Sequence, residues 1–269
     1  LAAIYTSNSA YGVMTVIICS PLPSSVIKAV LMSQINNDLP CLSSELDSLG
    51  LFKCCEAIHA DRESMTELLT RLEKSTGLTA AWLRSVAGKQ LCRHIAANLR
   101  FISPDRGVVI FAAIEQALRY GPMYCLYGLG DISRVFVKRT REVMHEVHRM
   151  QGFIRFQPGP GNSLVARPKL FHDTADLVLK QFQCRYPNSS LVFVISSSAA
   201  LILADGDIAT IPAEPYLPYL ENDDFQNTWE VYYQSQYIAS RKNIALASKA
   251  LPKKYWNWLA EGKLLQEVT

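Results

Sequence analysis

The stretch from Arg134 to Phe156 constrains this chain more than any other. Arg134, Lys138, Arg141, His145 and His148 recur at steps of three and four residues and so line one face of a helix. Ile132, Phe136, Val143, Val147 and Met150 recur the same way on another face and supply a buried side. The spacing predicts a helix that begins near Asp131, is closed by Gly152 and is followed by the strand-like Phe153-Ile154-Arg155-Phe156. A helix buried along one face and cationic along another suits a polyanionic partner, and phosphate backbones are the commonest of these.

The rest of the chain reads as α+β: a helical N-terminal part, a small, mainly antiparallel ββαββ sheet in the centre, and C-terminal helices packed on it. Residues 1–130 form the mainly helical region and residues 131–269 the remainder, within one continuous globular unit. Pro21 and Pro23 end an apolar run, and Ser24 or Ser25 can cap a helix through Met32. Asp61 is a plausible N-cap for a helix with Met65, Leu68, Leu69 and Leu72 inward, stopped by Gly77. Thr79 caps a second, and Ser103 or Asp105 a third, which Gly121-Pro122 ends. Strands are expected at Phe153–Gln157, Leu164–Arg167, Leu191–Ile195 and Ala199–Ala204, with a helix from Thr174 to Arg185 between the pairs. Asp205-Gly206 marks the turn out, Pro212 to Pro218 a linker, and Asn222 or Asp223 the cap of an aromatic helix.

Net charge over the 269 residues is only +3, so nucleic-acid binding would need local patches rather than a global field. One patch spans residues 134–155; the other is Arg241, Lys242, Lys249, Lys253 and Lys254, with no acidic residue between Arg241 and Lys254. Seven cysteines at irregular spacing fit reduced, mostly buried thiols rather than a disulfide framework, zinc ribbon or iron–sulfur site, and no cofactor is expected. The longest apolar run, Ala10 to Cys19, is about half the ~20 residues that cross a bilayer. No Lys or Arg precedes Lys28, so a secretory signal is not expected and the location is read as cytoplasmic.

A resemblance becomes specific at Glu146-Val147-His148-Arg149-Met150 and Gly152-Phe153-Ile154-Arg155-Phe156. With Pro168, His172, Phe182, Arg185 and Tyr186, and with Trp229, Tyr232, Tyr233, Arg241, Asn243 and Pro252-Lys253-Lys254-Tyr255-Trp256, the chain resembles the bacterial and archaeal "probable DNA metabolism protein" family. The resemblance extends by pattern over Leu51 to about Ile102. It implies a setting in DNA repair or modification, beside a radical-SAM protein resembling spore photoproduct lyase or a uracil-DNA-glycosylase-like protein. It carries no established catalytic residues. Gln181 and the run Ser196-Ser197-Ser198 depart from the family pattern. Neither glycosylase cysteines nor a radical-SAM cluster motif is present, so such chemistry would belong to a partner.

The function expected from these readings is a nucleic-acid-binding accessory protein with DNA as partner, and no membrane. The contact residues would be Arg134, Lys138, Arg141, His145, His148, Arg149, Arg155, Arg185, Arg241, Lys253, Lys254, Tyr255 and Trp256. Guanidinium groups grip phosphate bidentately, and aromatic rings interleaved with lysines can stack on unpaired bases. The same aromatic spacing also fits a core stripe, and the arginines could pair with Glu142, Glu146 or Asp176. Two alternatives stand beside this reading: an enzyme acting on a nucleotide or damaged base through His148, Arg149, His172 and Asp173, and a protein-interaction module without DNA contact. His145 and His148 beside Glu142 and Glu146 would need His172 or Asp173 to complete a metal site, and no metal is expected.

Overall fold

In the computed structural model, the described residues are 15–49, 56–220 and 251–259, with the single positions 231, 235, 262 and 266. They show an α+β protein whose chain divides into two compact units, residues 1–144 and 145–269. No helix among the described residues is long and apolar enough to cross a membrane.

The first unit starts from a βαβ element. β1 (Thr15–Cys19) is β-branched and apolar, which favours a buried strand. Pro23 opens α1 (Pro23–Asn36), where its fixed φ suits a first helical turn, and Asn37 closes the helix at φ 62°. β2 (Leu39–Leu42) returns parallel to β1, with Ile17 opposite Pro40, and β3 (Glu56–His59) pairs parallel on the other side, giving the order β2-β1-β3. The N-terminal part is mainly helical as expected, with this small parallel sheet set among its helices. Short strands buried between helices lack the alternation that identifies a strand, and β3, mostly exposed, has almost no apolar signal.

Helices complete the unit. α2 (Met65–Thr76) ends at Gly77, whose φ of 70° needs a glycine, as expected. Its N-cap position is Ser64 rather than Asp61; the Asp61 carboxylate instead accepts a 2.5 Å hydrogen bond from the Ser20 hydroxyl. α3 (Val86–Arg100) is capped by Ser85, whose Oγ accepts from Gly88 N at 3.2 Å, in place of Thr79. α4 (Arg106–Tyr120) and the short α5 (Pro122–Leu126) meet at Gly121. Leu31, Leu42, Leu68, Leu72, Leu91, Ile95, Ile110 and Phe136 form one fully buried core.

α6 (Asp131–Phe153) is the basic helix, and its first half is held by polar contacts as well as by Phe136. The buried Asn98 amide of α3 lies 3.0 Å from the Phe136 carbonyl, 2.9 Å from Thr140 Oγ1 and 2.9 Å from the His94 carbonyl. Arg139, 12% exposed at its side chain, donates to both Asp105 oxygens at 2.8 Å and lies over the Phe101 ring. Hydrogen bonds from Ser103 and Arg139 hold the Asp105 carboxyl below its ordinary range.

The second unit carries a five-stranded sheet in the order β4-β5-β6-β7-β8. β4 (Gln157–Pro158) and β5 (Ser163–Ala166) form a hairpin, and α7 (Ala175–Gln183) crosses over to place β6 (Ser190–Val194) parallel to β5. β7 (Ala199–Ala204) and β8 (Asp207–Pro212) continue antiparallel. The expected ββαββ order is thus present, with two corrections: a parallel β5–β6 pair and a fifth strand. Asp205 and Gly206 have φ of 52° and 88°, the conformation of a two-residue hairpin turn, so the chain reverses there rather than leaving the sheet.

The helix also runs through Gly152 to Phe153, so the expected strand at 153–157 is reduced to Gln157–Pro158. Ile154 N still bonds the Met150 carbonyl at 3.0 Å, and Val147, Met150 and Ile154 stay buried. Each such side chain contributes roughly 2 kcal/mol on burial, against about 0.5–1 kcal/mol lost by a mid-helix glycine. Burial wins. This face packs with Val178, Leu179, Phe182, Leu191, Phe193, Tyr255 and Trp256. The opposite sheet face, Val165, Val192, Val194 and Ala200, is covered by Tyr216, Leu217 and Leu220 of the 3-10 helix Glu214–Leu220, so the expected linker is part of the core.

Replacing Asn98 by Ala should therefore destabilise the protein by about 2 kcal/mol in urea unfolding, by removing buried donors that tie α3 to α6. A change below about 0.5 kcal/mol would mean that the apolar core alone holds α6.

Candidate nucleic-acid interface

The outward face of α6 is laid out as its periodicity requires. Arg134, Lys138, Arg141, His145 and His148 are all exposed, while Phe136, Val143, Val147 and Met150 are buried. Two of the cations have acidic neighbours on the helix: Arg134 pairs with Asp131, and Lys138 Nζ lies 3.8 Å from Glu142 Oε1. Exposed pairs of this kind contribute about 0–1 kcal/mol, so an incoming phosphate competes readily for either cation. Arg141 forms no ion pair among the described residues. Burial and the Arg141 charge together push the His94 imidazole below its ordinary range.

Glu146, one turn from the end of this row, faces inward and is 1% exposed. Its Oε1 accepts from His172 N at 3.0 Å and from Thr174 Oγ1 at 2.9 Å; its Oε2 accepts from Phe171 N at 2.8 Å and from the Tyr255 hydroxyl at 3.1 Å. No ion pair to it occurs among the described residues. Four donors replace the water that a carboxylate loses on burial, and they come from the loop before α7 and from the C-terminal segment. In the sequence Glu146 stands out as the first residue of the family motif, a possible pair for an arginine and a neighbour of a metal site, but not as a buried acceptor. The usable signal was its place in the buried register between Val143 and Val147, where a carboxylate requires convergent donors.

The other expected contact residues fall into distinct settings. Arg149 is half-buried. Burial and Glu146 raise the Tyr255 phenol well above its ordinary range, and the Arg149 charge partly offsets this. Arg155 Nη1 donates to the Gly152 carbonyl at 2.5 Å and Arg185 Nη1 to the Gln151 carbonyl at 3.2 Å, so both arginines serve the C-terminus of α6. Arg185 also lies over the Phe182 ring at 5.3 Å. Lys253 and Lys254 are exposed, with Lys254 Nζ 4.3 Å from the Phe171 ring centroid and Lys253 Nζ 5.6 Å from that of Trp256.

The expectation that Tyr255 and Trp256 offer rings to unpaired bases is corrected. Tyr255 is fully buried against Phe153, Phe171 and Trp258, and Trp256 is buried with Nε1 donating to the Leu251 carbonyl at 2.7 Å. Their aromatic area holds the C-terminal segment on the second core. Of the residues considered for catalysis, His148 and Asp173 are exposed, and His172 is buried with its backbone N–H on Glu146. No three His, Cys, Asp or Glu side chains are grouped to hold a metal ion among the described residues. Arg241, Trp229, Tyr232 and Tyr233 lie outside the described residues.

Replacing Glu146 by Ala leaves four donors facing a cavity and should cost about 3–5 kcal/mol in chemical denaturation, whereas Tyr255→Phe, which removes one donor, should cost about 1 kcal/mol. Equal small losses from both would show that the donors are satisfied some other way.

No curated protein and no solved structure matches the chain. A family model does match, over residues 104–261, from the start of α4 through the second core to the buried Tyr255 and Trp256. That span covers more than half of the chain, and the protein belongs to the family described as a domain of unknown function, DUF4130.

Proposed function

We propose that this protein is a nucleic-acid-binding accessory protein in DNA repair or modification, working beside a radical-SAM enzyme or a uracil-DNA-glycosylase-like protein. The observation that carries the reading is the outward row of α6: five cationic or ionisable side chains exposed in register on a helix whose other faces are anchored. A row of this kind can follow a phosphate backbone. The neighbouring Arg139, Arg155 and Arg185 bond to the protein itself, whereas Arg134, Lys138 and Arg141 of the row face solvent. The repair setting and the partners come from the sequence resemblance, through Glu146 to Met150 and the C-terminal Pro-Lys-Lys-Tyr-Trp. The buried roles of Glu146 and Tyr255 explain why those two motifs occur together in one chain.

Binding should be sequence-tolerant and steeply salt-dependent. With Lys138→Ala and Arg141→Ala combined, the slope of log affinity against log salt should fall by about two, while the melting temperature stays near that of the parent. Fluorescence anisotropy over a salt series measures this. Unchanged affinity and slope in the double variant, or no binding by the parent at low salt, would remove the reading.

A further inference from the structure

The turn that feeds α6 exposes apolar and aromatic surface. Tyr120 and Tyr127 are 64% and 70% exposed, Leu129 61% and Met123 44%, all within ten residues, whereas exposed Val86, Ile102 and Ile195 lie far apart in sequence. Large exposed apolar side chains gathered in so short a segment point to an interaction site.

The segment is nonetheless rigid by construction. The Tyr120 and Tyr124 rings lie 4.8 Å apart, and Leu129 N bonds the Tyr124 carbonyl at 3.1 Å. A Cβ at Gly130 would sit 2.7 Å from the Tyr124 hydroxyl, so only glycine allows that ring to pack there. Gly128, at φ 66°, packs against Arg134, and Tyr127 N bonds the Met123 carbonyl at 3.0 Å. Tyr127 is thus held next to Gly128, whose backbone packs against Arg134, the first cation of the α6 row. Arg119, exposed in the last turn of α4, lies at the other end of the segment.

We propose that this turn is a base-stacking platform for single-stranded DNA, with the Tyr120 and Tyr127 rings taking unpaired bases and Arg119, Arg134 and Lys138 taking the flanking phosphates. The inference rests on the function proposed above and deepens it by naming the strand form. Three considerations favour DNA over a protein partner. The exposed rings are tyrosines, whose faces accept any base. Exposed Arg119 and Arg134 flank the segment along the chain, and its one acidic side chain, Asp131, pairs with Arg134. The platform continues into a cationic helix face instead of an apolar one. In a duplex the base faces are covered by their neighbours, so the tyrosines discriminate by strand form.

The test titrates the intact protein by anisotropy with a labelled oligothymidylate of about fifteen nucleotides and with a duplex of equal length. The parent should prefer the single strand. Tyr120→Ser with Tyr127→Ser should weaken single-strand binding roughly a hundredfold, change duplex binding by less than about twofold and leave the salt slope unchanged. The Phe double variant should retain parental affinity. Tyr127→Ser alone, at the more exposed site, should weaken single-strand binding about tenfold and supplies the result if the double variant melts early. Duplex binding without single-strand preference overturns the platform and leaves the α6 reading standing; no binding of either form removes both. Unchanged DNA affinities together with altered self-association in the double variant would make the patch a protein contact and overturn the proposal.

Discussion

The structure of the second unit depends on one buried carboxylate. Glu146 comes from the same turn of α6 as the exposed His145 and His148, yet it faces the other way and takes donors from Phe171, His172, Thr174 and Tyr255. A buried ion without partners is costly by several kcal/mol, so the loop before α7 and the C-terminal Tyr255 are each held where their donors converge. The aromatic packing of Phe153, Phe171 and Tyr255 around it keeps water out and makes those hydrogen bonds stronger. One side of the helix turn therefore organises the core while the other is left free for solvent and partners.

The same division of labour runs along the whole helix. Asn98 and Arg139 anchor its first half, and Arg155 and Arg185 satisfy carbonyls at its end. Basic residues in this protein thus fall into two classes that composition cannot separate. Arg139, Arg155 and Arg185 bond to the protein; Lys138 and Arg141 stand outward on the solvent-facing row. Aromatic residues divide the same way, with Tyr255 and Trp256 in the core and Tyr120 and Tyr127 on the surface.

How much of this is legible in the residues depends on the type of interaction. Period 3.6 is a local property, and α2, α4 and α6 follow it, with Gly77 and Gly121-Pro122 as stops. Gly152 misleads because a local stop signal yields to the burial of Met150 and Ile154 on either side of it. β8 escapes notice because an exposed edge strand of alternating weak apolar residues ending in Pro212 resembles a loop, although Asp205-Gly206 is itself a hairpin signal. The parallel β2-β1-β3 sheet escapes because its pairing is non-local. At the candidate site, the exposed row is visible in the spacing, but its anchoring is not. Glu146 and Tyr255 are 109 positions apart, and only the fold brings a phenol to that carboxylate.

We propose that the outward row of α6 is where this protein meets nucleic acid. Lysine acetylation footprinting of the intact chain, with and without bound DNA, tests it most directly, because Lys138 lies in the row and the exposed Lys89 of α3 and Lys180 of α7 lie outside it. Bound DNA should protect Lys138 from acetylation while Lys89 and Lys180 react as before. Equal reactivity of Lys138 in the free and bound protein would contradict it.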